Sequence, residues 1–172
     1  MLPTLRHYPY PDLGGHMRVQ LIGATGYGGL GILELLLQHP QAEVSTLVAR
    51  DDAGRQIADI YPHLSGQTEL VVQSPDDITI GTDCDIVVFA TPDRVSMGYA
   101  ATLANAGVRF LDYSGDFRFP DLDTYARYAA AHPSIVEEEH TASDLLAGAC
   151  YGVPELRGEA IATAPIVGNP GC

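Results

Sequence analysis

The segment GNPGC at residues 168–172 places a reactive side chain on a turn that leaves space around it. It follows an apolar run, residues 161–167, that predicts a β-strand. A thiolate attacks acyl groups readily, and the small residues of this turn would let a substrate reach the sulfur. Cys172 is therefore the candidate catalytic nucleophile. The alternative is an inert thiol that happens to end the chain.

Glycines recur at every third position in GATGYGG, residues 23–29, between a strand-like run and a helical apolar pattern. In this setting Gly23 permits a sharp turn, Gly26 lets backbone amides approach a pyrophosphate, and Gly29 permits close packing of helix on strand. The amino terminus of the helix would face the phosphates. This arrangement predicts dinucleotide binding, with a purely structural turn as the alternative. The candidate cofactor-binding residues of the turn are Gly23, Thr25, Gly26, Tyr27, Gly28 and Gly29.

The strand predicted at residues 42–50 ends in Arg50, where a dinucleotide-binding unit meets the ribose of adenosine. An Asp or Glu there binds the 2′-hydroxyl of NAD, whereas an Arg suits the 2′-phosphate of NADP. Arg50 therefore predicts NADP as the cofactor. Asp51 and Asp52 follow it directly, and a solvated surface arginine is the alternative.

Strands and helices alternate over residues 18–114, which predicts an α/β fold with a Rossmann-like, doubly wound parallel sheet. The clearest strand, residues 85–92, is apolar throughout, and its end at Thr91 and Pro92 would border the cofactor crevice. The further predicted elements are a helix at 30–39, a short strand at 69–73, a helix at 95–106 capped by Gly107, a strand at 108–114, a helix at 121–131 starting near Asp121, a loop or solvated helix at 132–148 and a short strand or turn at 149–156.

A polar cluster, DYSGDFRF at residues 112–119, begins at the end of the predicted strand 108–114. The carboxyl ends of parallel strands are where such a sheet binds its ligands. Arg118 is therefore the candidate group for holding a substrate anion. The alternative is a local surface ion pair between Arg118 and Asp116.

Composition narrows the class of protein. A net charge of −13 over 172 residues argues against nucleic acid as a partner, and it requires an anionic ligand to be held by a few placed arginines. No run approaches the ~20 apolar residues of a membrane span. Residues 1–16, a flexible arm or a cloning remnant, lack the apolar stretch of a secretory signal. Three cysteines without CxxC spacing exclude sequence-local zinc patterns and favour a reducing, cytoplasmic location.

The motifs GATGYGG, PHLSG at 62–66, DYSGDFR, YGVPEL and GNPGC occur in this order, with the strand ending in Arg50 after the first. Together they resemble N-acetyl-gamma-glutamyl-phosphate reductase, a relative of aspartate-semialdehyde and glyceraldehyde-3-phosphate dehydrogenases. The resemblance implies NADPH-dependent reduction of the small acyl phosphate N-acetyl-glutamyl phosphate to its semialdehyde, in arginine biosynthesis. It implies that Cys172 is the nucleophile and that Arg118, Asn169 and Ser114 bind the substrate. Arg118 would bind its phosphate, and Asn169 would help to position its acyl group.

The same resemblance implies an NADP-binding domain at residues 17–156 and the start of an α+β catalytic and dimerisation domain at 157–172. Family members continue past the cysteine into a part that carries a catalytic His and the dimer interface, so a homo-oligomer is expected through that part. Asp93 and Arg94 stand where the family often has His-Gly, which leaves the cofactor contacts of that loop open. The alternatives are a sibling reductase of carrier-linked aminoadipyl or glutamyl phosphate or of aspartyl phosphate, and an NADP-binding module without turnover.

Overall fold

The computed structural model describes residues 15–133, 135 and 139–171. In this part the chain forms one sheet of seven parallel strands in the order β3-β2-β1-β4-β5-β7-β6. The strands are β1 (Met17–Ile22), β2 (Ala42–Val48), β3 (Val72–Gln73), β4 (Ile86–Phe89), β5 (Arg109–Asp112), β6 (Ala149–Tyr151) and β7 (Ile166–Gly168). The helices are α1 (Tyr27–Leu37), α2 (Ile57–Ile60), α3 (Val95–Ala106), α4 (Leu122–Ala131) and α5 (Pro154–Thr163), with 3-10 turns at Pro62–Leu64 and Ser143–Gly148.

The central strands end in register. Ile22, the last residue of β1, pairs with Val48 of β2 on one side and with Phe89 of β4 on the other. The loops that follow these three strands therefore open at the same edge of the sheet, which is where parallel sheets bind ligands. The predicted doubly wound parallel sheet is confirmed.

Two apolar layers cover the faces of the sheet. One contains Leu21, Leu33 and Leu47 and packs α1 against the sheet. The other contains Phe89 and Phe110 and packs α3 and α4 against it. Because both faces are covered, the central strand β4 carries a continuous apolar run rather than an alternating one.

Local chain chemistry sets the helix ends. Helix α4 starts near Asp121 as predicted, and the Asp121 side chain caps it by accepting a hydrogen bond from the Thr124 amide at 2.8 Å. Gly107 ends α3 in the left-handed conformation with φ 69°, which is also as predicted. Helix α1 starts at Tyr27, three residues before the predicted start at residue 30. No helix of the described residues has the length and apolar character that a bilayer span needs.

The prediction for the carboxyl-terminal segment was wrong in part. Residues 161–163 finish α5 instead of starting a strand, and β7 spans Ile166–Gly168 alone. Pro154 occupies the first turn of α5, where its missing N–H costs nothing, and the residue before Pro165 is disfavoured in a helix. Strand β7 lies between β5 and β6 in the sheet. The domain boundary expected at residue 157 stays a prediction. Cys172 and residues 1–14 lie outside the described residues.

Candidate active site

A cavity of about 360 Å³ lies at the carboxyl ends of β1, β2 and β4. It is partly open to the surface. Six of the predicted cofactor-binding residues line it, namely Gly23, Thr25, Gly26, Arg50, Thr91 and Pro92. Val95 and Tyr99 of α3 form the opposite wall. The fold therefore brings Thr91 and Pro92 into one site with Gly23, Thr25, Gly26 and Arg50, which lie 41 to 69 positions earlier in the chain.

The glycine turn is built so that only glycine fits at two of its positions. Gly23 has φ +83°, and a Cβ there would lie 2.4 Å from the carbonyl oxygen of Ala90. A Cβ on Gly29 would lie 2.1 Å from the carbonyl oxygen of Gly23, so this glycine lets α1 approach the end of β1. These two close approaches hold the start of α1 against the crevice, as a dinucleotide turn requires.

The first turn of α1 offers donors to a phosphate. Gly26, at the N-cap, has no side chain with which to satisfy the first amides of the helix. Tyr27 is 95% exposed, and neither it nor Gly28 lines the cavity, so these two predicted residues could contribute only through the backbone or from the rim. Free amides at a helix start, together with its dipole, favour an anion.

Thr91 supplies a polar group inside the crevice. Its Oγ1 is buried and has no hydrogen-bond partner among the described residues. A buried hydroxyl without a partner is unfavourable by about 1–3 kcal/mol, so this position fits a ligand that completes the bond. The glycine cradle and this hydroxyl together match the shape and polarity of a nicotinamide dinucleotide.

Arg50 lies on the cavity wall with an exposed side chain, and Asp51 lies beside it. The next carboxylate, Asp52, is paired with Arg55, whose Nη1 donates to it at 2.5 Å. The charge of Asp52 is thus compensated within its own turn. Arg50 lies at the end of the cavity beyond β2, and its contact with the adenosine end of a dinucleotide stays a prediction.

A second polar group of residues follows β5. Asp112, the last residue of the strand, is fully buried and accepts hydrogen bonds from the Ser114 hydroxyl at 2.7 Å and the Ser114 amide at 3.2 Å. Burial raises the pKa of Asp112 to about 6, against the lowering effect of the Ser114 hydroxyl. The Ser114 hydroxyl also accepts from the Asp116 amide at 3.1 Å. Ser114, a predicted substrate-binding residue, is therefore buried and already engaged within the loop.

Asp116 caps α3 from outside the helix. Both of its carboxylate oxygens accept from the amide of Arg94, at 3.0 and 2.7 Å, and one accepts from the Ser96 hydroxyl at 3.1 Å. Arg94 takes the left-handed conformation with φ 74° and cannot cap the helix with its own side chain. Asp116 is fully buried, so the alternative of a surface ion pair with Arg118 is wrong. Burial raises the pKa of Asp116, although the Arg94 amide opposes this.

Arg118 binds the backbone of two loops. Its Nε donates to the Asn169 carbonyl oxygen at 2.9 Å, and Nη2 donates to those of Tyr113 and Ser114 at 3.2 and 3.0 Å. Nη1 makes no hydrogen bond with a described residue and lies against Gly171, where a Cβ would be 2.6 Å away. The Asn169 amide in turn donates to the Asp112 carbonyl oxygen at 2.7 Å. Arg118 and Asn169, predicted to share a site, are thus in direct contact.

Two further residues tie these loops together, and the sequence reasoning did not single out either for this role. Asp93 Oδ1 accepts from the Gly115 amide at 2.7 Å and from the Tyr128 hydroxyl at 3.1 Å. His140 is buried, and its Nδ1 accepts from the Ala142 amide at 3.1 Å, so Nε2 carries the proton and donates to the Asp116 carbonyl at 2.8 Å. A single Asp or His in a loop carries no spacing signal, because its partner is set by the fold.

Comparison with known proteins agrees with this geometry. The chain is 41% identical over 156 residues to N-acetyl-gamma-glutamyl-phosphate reductase of Bordetella pertussis, a match that covers 91% of the chain and 42% of that protein. It is 42% identical over 157 residues to the same enzyme of Ectopseudomonas mendocina, covering 91% of the chain and 43% of that protein. The chain thus spans about two fifths of the length of these curated relatives.

The fold has a counterpart among solved structures. Aspartate semialdehyde dehydrogenase II of Vibrio cholerae superposes with a TM-score of 0.62 at 22% identity, over 90% of this chain and 42% of that chain. The family model "Semialdehyde dehydrogenase, NAD binding domain" matches residues 18–164, which include the strands of the sheet from the second residue of β1 to β6. The chain therefore belongs to the family of semialdehyde dehydrogenase NAD-binding domains.

Proposed function

We propose that this chain is the cofactor-binding part of an NADPH-dependent reductase that converts N-acetyl-glutamyl phosphate to the semialdehyde through a thioester on Cys172, in arginine biosynthesis. The observation that carries the proposal is the crevice at the ends of β1, β2 and β4, together with a loop at the end of β7 in the same sheet, residues 168–171, that Arg118 holds in place. The identity to curated reductases of this name supports the choice of substrate. By the same reasoning we propose a cytoplasmic homo-oligomer.

Within the crevice the predicted residues would bind different parts of the dinucleotide. The amides at the start of α1 would hold the pyrophosphate, and Thr91 Oγ1 would complete its hydrogen bonding on the ligand. Arg50 would pair with a 2′-phosphate, which an NAD molecule lacks. Because the chain carries a net charge of −13, this local cation must offset a repulsive overall field.

The anionic substrate would use the remaining donor capacity of Arg118. The guanidinium has five N–H groups, and Nη1 keeps both of its own free of described partners beside Gly171. This places a fixed cation next to the residue before Cys172. A phosphate or carboxylate of the substrate would bind there with its acyl carbon near the turn.

The chemistry follows from the groups involved. The Cys172 thiolate would attack the acyl carbon, the bond from that carbon to the phosphate oxygen would break, and inorganic phosphate would leave. The resulting thioester would keep the carbonyl fixed at the turn. Hydride for reducing the thioester to the aldehyde is the chemistry that a bound nicotinamide dinucleotide supplies. The thiolate would then leave and be available for the next turnover.

The test is a turnover assay on a protein that contains this chain and has the full length of its curated relatives. We expect oxidation of NADPH with N-acetyl-glutamyl phosphate, none with Cys172→Ser, and much slower reaction with aspartyl phosphate. Alkylation followed by mass spectrometry should modify Cys172 first, because Cys84 and Cys150 are buried and burial raises the pKa of the Cys84 thiol. Full activity of Cys172→Ser, or a preference for aspartyl phosphate, would overturn the proposal.

A further inference from the structure

Residues 61–66, which end in the motif PHLSG, make a hydrogen bond to the dinucleotide turn, residues 23–29. The hydroxyl of Tyr61, the residue before this motif, donates to the carbonyl oxygen of Thr25 at 2.6 Å. Thr25 lines the cofactor cavity, whereas Tyr61 does not. Tyr61 therefore contacts the turn from behind, on the side away from the ligand.

The backbone of Tyr61 is held by hydrogen bonds to neighbouring residues of the chain. Its amide donates to the Ile57 carbonyl oxygen at 2.9 Å, and its carbonyl accepts from the Leu64 amide at 2.9 Å. Two residues further on, His63 Nε2 lies 2.8 Å from Glu34 Oε1, which ties the segment to the middle of α1. The ring of Tyr61 also packs against the apolar layer beneath α1. The hydroxyl is thus fixed by a short, folded segment anchored at both ends.

The contact fixes one particular peptide group. The carbonyl of Thr25 and the amide of Gly26 belong to the same planar unit. Tyr61 holds the carbonyl end, and the amide end donates to the Gly23 carbonyl oxygen at 3.1 Å. This peptide leads into the N-cap, Gly26, one residue before the helix starts at Tyr27, so its orientation helps to set the direction of the first amides of α1. Without the hydroxyl, the Gly26–Gly23 hydrogen bond and the close packing of Gly29 would be left to define that direction.

We propose that Tyr61 is a positioning residue for dinucleotide binding: its hydroxyl orients the 25–26 peptide so that the amides at the start of α1 face the pyrophosphate. The proposal gives the PHLSG segment a role that its sequence did not suggest. It rests on the proposed binding of a dinucleotide in the crevice. Tyr61 does not touch the ligand and acts through the turn.

The experiment compares Tyr61→Phe with the unchanged chain by calorimetric titration of NADPH and NADH. Phe keeps the ring packing and removes only the hydroxyl. We expect both dissociation constants to rise by the same factor, about three- to tenfold, because the two cofactors share the pyrophosphate. Tyr151→Phe is the matched control, since that ring is 38% exposed at the end of β6 and its hydroxyl makes no hydrogen bond with a described residue.

Hydrogen exchange without cofactor provides the second measurement. In Tyr61→Phe the amide of Gly26 should exchange several-fold faster, while amides of the β4 strand keep their rates. A lower melting temperature with unchanged affinities for both cofactors would reduce Tyr61 to a structural role and overturn the proposal. Failure of the unchanged chain to bind either cofactor would instead contradict the dinucleotide function itself.

Discussion

Arg118 holds the backbone of Asn169, because its Nε donates to the Asn169 carbonyl oxygen at 2.9 Å across 51 positions of the chain. The same guanidinium donates to two carbonyl oxygens of the loop after β5. A side chain predicted to bind substrate therefore also shapes the turn that leads to Cys172. A planar fork with five donors can do both, which an ammonium group cannot.

We expect Arg118→Lys and Arg118→Ala to release this turn in the 172-residue chain. The amide of Asn169, which donates to the Asp112 carbonyl at 2.7 Å, should then exchange with solvent at least several-fold faster. In a full-length reductase, kcat/KM for the acyl phosphate should fall by about 10- to 100-fold, the equivalent of one or two charge-assisted hydrogen bonds. Affinity for NADPH should stay unchanged.

Arg127→Ala is the control for that experiment, since Arg127 lies exposed on α4 and its hydrogen bonds to described residues stay within its own helix. If NADPH affinity collapses in Arg118→Ala while the kinetics of the acyl phosphate remain normal, Arg118 belongs to the cofactor site or to the fold. Unchanged exchange at Asn169 would reject the contact as a restraint on the turn.

Arg50 should make the chain bind NADPH more tightly than NADH. The exposed guanidinium on the cavity wall can pair with a 2′-phosphate but gains nothing from a 2′-hydroxyl. We expect Arg50→Ala to weaken NADPH binding by about 1.5–3 kcal/mol and to leave NADH binding nearly unchanged. Calorimetric titration with both cofactors measures this, with Arg157→Ala on α5 as a distant control. Equal affinities of the unchanged chain for NADPH and NADH would refute the assignment.

Gly29 and Gly31 offer a matched pair on α1. A Cβ on Gly29 would lie 2.1 Å from the Gly23 carbonyl oxygen, whereas a Cβ on Gly31 meets nothing within 4 Å. Gly29→Ala should therefore lower the free energy of unfolding by about 3 kcal/mol or more, because the helix must move away from β1. Gly31→Ala should raise it by about 0.5–1 kcal/mol through helix propensity. Urea unfolding of both variants checks the contrast, and equal effects would contradict the close packing.

Asp112 should make stability depend on pH. Burial raises its pKa in the folded chain to about 6 from 3.8, so the folded state holds the proton more tightly than the unfolded state. The stabilisation from this proton is present at low pH and is lost as pH rises from about 4 to about 6. Asp112→Asn cannot ionise, and it keeps an oxygen for the Ser114 amide.

Between pH 5 and pH 7.5, the free energy of unfolding of Asp112→Asn should therefore rise by about 1–1.5 kcal/mol relative to that of the unchanged chain. Urea unfolding at both pH values gives this number. Asp123→Asn, an exposed change on α4, controls for net charge. A difference that is constant with pH would show that Asp112 titrates normally.

Much of the cofactor site was predictable from the sequence, because its signals are local. A glycine pattern between a strand and a helix needs no distant partner to be recognised, and parallel strands put their carboxyl ends at one edge. Gly23, Arg50 and Thr91 therefore line one cavity, as expected. The cap of α4 by Asp121 follows from the same short-range logic.

The end of the chain was harder to predict. The apolar residues around Pro165 were interpreted as one strand, yet Pro154 starts a helix that reaches Thr163. Short apolar runs fit a strand or a helix equally well by periodicity alone. The insertion of β7 between β5 and β6 depends on pairing partners that the sequence order does not reveal.

Residue type and short-range spacing are enough to predict the fold class, the dinucleotide turn, Arg50 and Cys172 as candidate residues and the family resemblance. The cap of α3 by Asp116, the contact of Arg118 with the Asn169 turn and the bond from Tyr61 to Thr25 depend instead on the folded arrangement of the chain. Those contacts join residues 22, 51 and 36 positions apart. Such bonds form wherever packing brings a donor to an acceptor, so they leave no pattern in the chain that could be recognised beforehand.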